Sequence, residues 1–188
     1  MKLTASLTLL LTLYAGAAGA VAICSETLDR TVPTARFSDN GNGTVTDLGS
    51  GLTWMRCQLG QKWSGTGCSG EPSRFYWQQA LQEAERIREQ PGHALHGFGG
   101  KQAWRLPDAK EILTIYESAC IKPTLNEVLF PRAMAGEGKE VQDGYVYLWT
   151  STAAAHNGQV LYLDITQGGL GYRKPFAYPQ QVLLVASR

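Results

Sequence analysis

Apolar and polar positions change rhythm several times along this chain. Residues 3–14 are apolar except for Thr and Ser, follow Lys2, and run into small residues at 15–22. A charged start, a short apolar run and a small-residue flank predict a secretory signal peptide over residues 1–22. Ala18-Gly19-Ala20 and Ala20-Val21-Ala22 are the cleavage motifs. The apolar run is short for a membrane anchor. Ile23 before Cys24 does not suit lipid attachment, where a small residue precedes the cysteine.

After a polar lead-in, residues 23–36, the pattern turns to short strands and turns. Asp39-Asn40-Gly41-Asn42-Gly43 parts Phe37 from Thr44-Val45-Thr46. Asn-Gly accepts positive φ, so this cluster predicts a hairpin. A second turn is expected at 47–51, before Leu52-Thr53-Trp54-Met55. Tyr76, Trp77, Ala80, Leu81, Ala84 and Ile87 then recur at helical spacing, which predicts a helix over 73–89. Pro91-Gly92 stops it. Residues 93–100 form a Gly/His loop. Pro107, Asp108 and Glu111 open a second helix, expected to end near Cys120. Residues 121–143 read as irregular. Strands follow at 145–152, 159–165, 170–174 and 181–186. Helices early, with antiparallel strands on either side, predict an α+β domain over 37–188.

Composition narrows the function classes. Lys and Arg number 17 against 16 Asp and Glu, and Lys2 leaves with the leader. A balanced chain offers no bulk basic surface, so nucleic acid is not an expected partner. No later apolar run reaches membrane-spanning length, so no transmembrane segment is expected after leader cleavage. The four cysteines, Cys24, Cys57, Cys68 and Cys120, favour disulfides in an exported chain. Four cysteines allow three pairings. Cys57 and Cys68 close a short Gly/Ser-rich loop and are the favoured pair, which leaves Cys24 with Cys120. No C-x2-C pair marks a zinc site, and no cofactor is expected.

Taken in order, these motifs resemble a known family. They are RFSDNGNGTVTDLGSGLTW, a helix with Trp77 and Ala80, WRLPDAKEIL, Leu129-Phe130-Pro131, LWTST, and Asp164 before Gly168. The order resembles the Lcl C-terminal-domain family, named for the C-terminal domain of a Legionella collagen-like adhesin. The resemblance implies a C-type-lectin-like fold, similar also to formylglycine-generating enzymes, with two helices, antiparallel β-sheets and long loops. It implies a surface module that binds sulfated glycans, and a homo-oligomer. The chain departs from the family at its end, Val185-Ala186-Ser187-Arg188, where members often carry a cysteine. Asn42 stands where Asp is common.

Each chemical motif has a plain structural account. Asp39–Thr44 lacks the register and the closing Glu of a calcium loop, so a hairpin is expected. In Trp104-Arg105-Leu106-Pro107, alternation sends Trp104 and Leu106 inward and leaves Arg105 to pair with Asp108 or Glu111. Ser151 has no nucleophile elbow and no evident base, so enzymatic activity is not expected. His93 and His96 read as parts of a solvated loop. Candidate ligand contacts cluster around the C-terminal loops: His156 and Asn157 lie in one, Tyr172, Arg173 and Lys174 at the end of a strand, and Arg132 in the irregular segment. Arg and Lys suit sulfate or carboxylate, and an aromatic face suits a sugar ring. The expected function is an exported, non-enzymatic binding module for an anionic glycan or a surface protein, working in the periplasm or at the cell surface. The alternative is a structural or assembly subunit of a surface appendage, with no small ligand.

Overall fold

The computed structural model describes residues 21–136, 144–155 and 157–187; most of the expected leader lies outside these residues. A two-residue strand, β1 (Ile23–Cys24), opens the lead-in and pairs with β7 (Cys120–Ile121). Cys24 is disulfide-bonded to Cys120, and Cys57 to Cys68. The lead-in is thus part of the body, in keeping with the expected pairing of Cys24 with Cys120. Glu117, only 1% exposed, fastens its far end: its carboxylate accepts from the N–H groups of Thr31 and Val32 at 3.1 and 2.9 Å.

Turn chemistry sets the next strands. In the hairpin of β2 (Phe37–Asp39) and β3 (Thr44–Asp47), Asp39 Oδ1 accepts from Gly41 N–H and Asn42 Oδ1 from Thr44 N–H. These side chains hold the turn by bonding nearby backbone. Asp47 does the same for the turn into β4 (Thr53–Met55), accepting from Gly49 N–H and the Ser50 hydroxyl. The loop that Cys57–Cys68 closes is itself a small hairpin, β5 (Lys62–Trp63) with β6 (Cys68–Ser69).

Helix α1 (Trp77–Glu89) begins four residues later than the periodicity predicts. Phe75 is drawn into a backbone pair with Gln180, and Trp77 N–H donates to Pro175 O at 3.0 Å, so the chain is extended there. Helix α2 (Ala109–Leu113) is much shorter than expected. Asp108 caps it, and its apolar spacing continues through Ile115. The backbone leaves the helix after Thr114, however, and Glu117 N–H goes to Thr124 O. That exit aims Glu117 at the lead-in.

Strands β8 (Tyr147–Ala153), β9 (Val160–Asp164) and β10 (Leu170–Arg173) form an antiparallel sheet in the order β10-β9-β8. The first meander forms the other main sheet, β11-β4-β3-β2, where β11 is Val185–Ala186. The expected strand over 181–186 is extended but shared among partners. Gln181 pairs with Leu148, Met55 N–H donates to Leu184 O, and Val185 pairs with both Trp54 and Arg105.

This shared segment divides two cores. Leu183 and Val185 pack with Val45, Trp54, Ile112 and Leu148. Val182, Leu184 and Ala186 pack with Met55, Ile87, Trp104 and Trp149. Side chains alternate faces along an extended chain, so a run apolar at every position is buried on both sides. The indole N–H of Trp104 donates to Phe98 O and that of Trp149 to Phe75 O, at 3.0 and 2.8 Å. Two helices with mostly antiparallel sheets make the fold α+β, as expected.

Candidate functional site

The site grows from the β9–β10 hairpin. Gly171 pairs with Tyr162, and Arg173 with Val160, in the antiparallel register. Residues opposite one another share a face, so Arg173 lies on the Tyr162 face of the sheet. Gly171 leaves the space that the Tyr162 ring fills. A methyl group on that glycine would overlap Cζ and Oη of the ring. Tyr147, from β8, meets Tyr162 edge-on at 4.8 Å between centroids. Tyr145 stacks on Tyr147, and Trp149 supports Tyr162 from the core side.

Arg173 lies over this surface. Its guanidinium carbon is 4.3 Å from the Tyr162 centroid, 4.5 Å from Tyr147 and 5.6 Å from Tyr178. Tyr178 comes from the 174–179 loop, which is pinned to the start of α1 through Pro175 O and through the Phe75–Gln180 pair. Ring faces are negative and attract the cation. Among the described residues, the Arg173 guanidinium makes no hydrogen bond and no ion pair. Its five N–H donors are held in position by rings that cannot occupy them as a carboxylate would.

The other candidate residues divide. Lys174 donates to the backbone carbonyl of Asn157, which holds a left-handed φ of 57° that asparagine tolerates. Those two are therefore in contact, beside Arg173 in sequence. Tyr172 is 65% exposed and lies on the face of β10 opposite Arg173. Arg132 sits 3.6 Å from Glu71, and among the described residues no contact joins it to the other candidates. His156 lies outside the described residues. Sequence reasoning missed Tyr145, Tyr147, Tyr162 and Tyr178. The signal was the alternation Tyr145-Val146-Tyr147, which places two rings on one face of a strand.

Motifs set aside as structural have partners. Arg105 makes a two-pronged pair with Glu111, at 2.7 and 2.6 Å. The hydrogen bond from Arg105 holds the Glu111 carboxyl below the usual range against the effect of burial, helped by the Asp108 N–H. The Ser151 hydroxyl donates to Pro107 O. His93 and His96 are half-buried and bonded, not solvated: His93 Nε2 lies 3.2 Å from Glu83, and His96 Nδ1 donates to Ile87 O. Among the described residues, no three His, Cys, Asp or Glu side chains come together as metal ligands.

The family model for the Lcl C-terminal domain matches residues 43–186. This chain belongs to the Lcl C-terminal domain family. The match takes in the Arg173 site whole, with its tyrosines and the loop that supplies Tyr178. The whole lead-in, residues 23–36, with Cys24, falls outside it. No curated protein and no solved structure matches the chain. Membership suggests an adhesin-like surface module. It is compatible with an exported protein, as are the two disulfides. Among the described residues, no helix of this Lcl C-terminal domain is long and apolar enough to cross a membrane.

Proposed function

We propose that this chain is an exported, non-enzymatic binding module that recognises an anionic group, sulfate or carboxylate, on a surface glycan. One observation carries the reading: the Arg173 guanidinium lies against three tyrosine rings with its donors unengaged among the described residues. A planar fork of donors matches carboxylate or sulfate oxygens two at a time. The ordering cost is met before the ligand arrives, which favours affinity. Exposed Tyr178 adds an aromatic edge beside the cation. The reading takes the fold as C-type-lectin-like and the working form as a homo-oligomer, as the family resemblance implies.

The test is binding of the purified chain to dextran sulfate, with neutral dextran as control, at low and physiological salt. Saturable binding to the sulfated polymer, weakened by salt and lost in Arg173→Ala, supports the reading. Equal binding by wild type and Arg173→Ala would sink it.

A second reading, a structural subunit, rests on β10. It is an edge strand carrying exposed Leu170 and Tyr172, and Phe176 just beyond it is 73% exposed. Edge strands and apolar patches are surfaces for pairing. Concentration-dependent assembly abolished by Tyr172→Lys with Phe176→Ser, together with no polysaccharide binding, would favour it.

A further inference from the structure

Three Asn-Gly pairs occur in the chain: Asn40-Gly41, Asn42-Gly43 and Asn157-Gly158. An asparagine before glycine can lose its side-chain amide without an enzyme. The backbone nitrogen of the next residue attacks the side-chain carbonyl carbon, and glycine has no side chain to hinder the approach. The fold treats the three pairs differently.

The first two are locked in the β2–β3 turn. The Asn40 side-chain amide donates to the hydroxyls of Thr44 and Thr46 at 2.9 and 3.0 Å. The nitrogen that would attack it, Gly41 N–H, donates to Asp39 Oδ1 at 2.8 Å. Asn42 Oδ1 accepts from both the N–H and the hydroxyl of Thr44, and Gly43 is buried against the Trp63 and Phe98 rings. Asn157 and Gly158, in the β8–β9 turn, are both exposed. Among the described residues, neither the Asn157 side-chain amide nor the Gly158 N–H has a hydrogen-bond partner. A side chain at Gly158 would meet no atom within 4 Å.

Lys174 adds a chemical push. Its ammonium donates to the Asn157 backbone carbonyl. That oxygen and the Gly158 nitrogen belong to one peptide group. Loss of the Gly158 proton leaves a negative charge shared between them, and a cation at the oxygen stabilises it.

We infer that Asn157 is a site of spontaneous deamidation, promoted by Lys174, which turns a neutral side chain next to Lys174 into a carboxylate. Solvent hydroxide takes the Gly158 proton. The Gly158 nitrogen bonds to Asn157 Cγ, the side-chain nitrogen leaves as ammonia, and a five-membered succinimide closes. Water then opens the ring at either carbonyl, giving aspartate or isoaspartate. Lys174 gains a carboxylate for a partner, so the cation that follows Arg173 in sequence is neutralised. The effect on ligand binding rests on the anion reading above; the deamidation does not.

The test is storage of the purified chain in mildly alkaline buffer, with peptide mass mapping at intervals. Position 157 should deamidate about tenfold or more faster than 40 or 42, because the locked turn must open first. In urea the three rates should converge. Lys174→Met should slow position 157 about threefold or more in the native chain. Equal native rates at the three positions, or the same selectivity in urea, would overturn the inference; an unchanged rate in Lys174→Met would remove Lys174 from it. Asn157→Asp, standing for the product, should bind dextran sulfate about two- to threefold more weakly than wild type at low salt, and the gap should close as salt rises. Equal binding, with Arg173→Ala still defective, would overturn the effect on the ligand site. A wild type that binds no dextran sulfate would sink the anion reading instead, and mass mapping alone would decide the deamidation.

Discussion

The Tyr162 ring lies across Gly171, in the space a side chain would take. The glycine is there for room: its backbone does not need positive φ, and alanine is excluded only by the ring. Gly171→Ala should therefore push Tyr162 off its seat and disturb the rings under Arg173. Overpacking of this kind costs about 1–3 kcal/mol. Urea unfolding should show that loss, and affinity for dextran sulfate should fall with it. Unchanged stability would mean that the ring finds another place.

Arg173→Lys keeps the charge but gives up the planar fork and the flat stacking on tyrosine. It should bind dextran sulfate nearly as poorly as Arg173→Ala. Arg132→Ala removes a cation already facing Glu71 and should change binding little. Equal losses at both positions in a binding assay would point to diffuse charge attraction instead.

Glu117 should control acid stability. Burial works to raise its carboxyl, but the N–H groups of Val32, Ala119 and Thr31, with the Thr31 hydroxyl, outweigh burial and hold it below the usual range. A lowered folded value means stability that is present above the unfolded value, about 4.3, and lost as pH falls through the folded one. Glu111, lowered by Arg105, acts in the same direction. Unfolding free energy should thus be flat near neutrality and fall below about pH 4. Glu117→Gln should cost about 1–3 kcal/mol at pH 7 and flatten the acid limb. An acid limb as steep as that of the wild type would assign the effect elsewhere.

The two disulfides should contribute unequally. Cys24–Cys120 spans 96 residues and Cys57–Cys68 spans 11. Loop-closure entropy assigns about 4.7 kcal/mol to the first and about 2.8 to the second. Paired Cys→Ser variants, compared by urea unfolding, should show the larger loss at Cys24–Cys120. The reverse order would indicate that the lead-in stays docked through Glu117 alone.

What the sequence made legible was local. The hairpin turns at 39–43 and 47–51 could be read because Asp and Asn bond backbone two residues away, within the same motif. Arg105 and Glu111 could be paired because six positions separate them. Helix α2 was overread because Ile115 and Tyr116 keep helical spacing after the backbone has turned toward Thr124. The tie of the lead-in to the body through Cys24 and Cys120 could be read once Cys57 and Cys68 were paired, but the Glu117 contact with Thr31 and Val32 could not, because it bridges some 85 positions. The candidate site was half legible. Arg173 could be named from its type and its place at a strand end beside the C-terminal loops. Its rings could not, since Tyr147, Tyr162 and Tyr178 converge only once β8, β9 and the 174–179 loop are in place.

The segment 182–186, which alternates between the two cores, has a consequence for how the protein is made. One core cannot be finished until residue 185 has been supplied and the other until residue 186, because Leu183 and Val185 belong to the first and Val182, Leu184 and Ala186 to the second. An exported chain, as proposed here, would keep both cores open until residues 182–186 had crossed. It would then close both cores in a single late step, on the side where its cysteines can be oxidised.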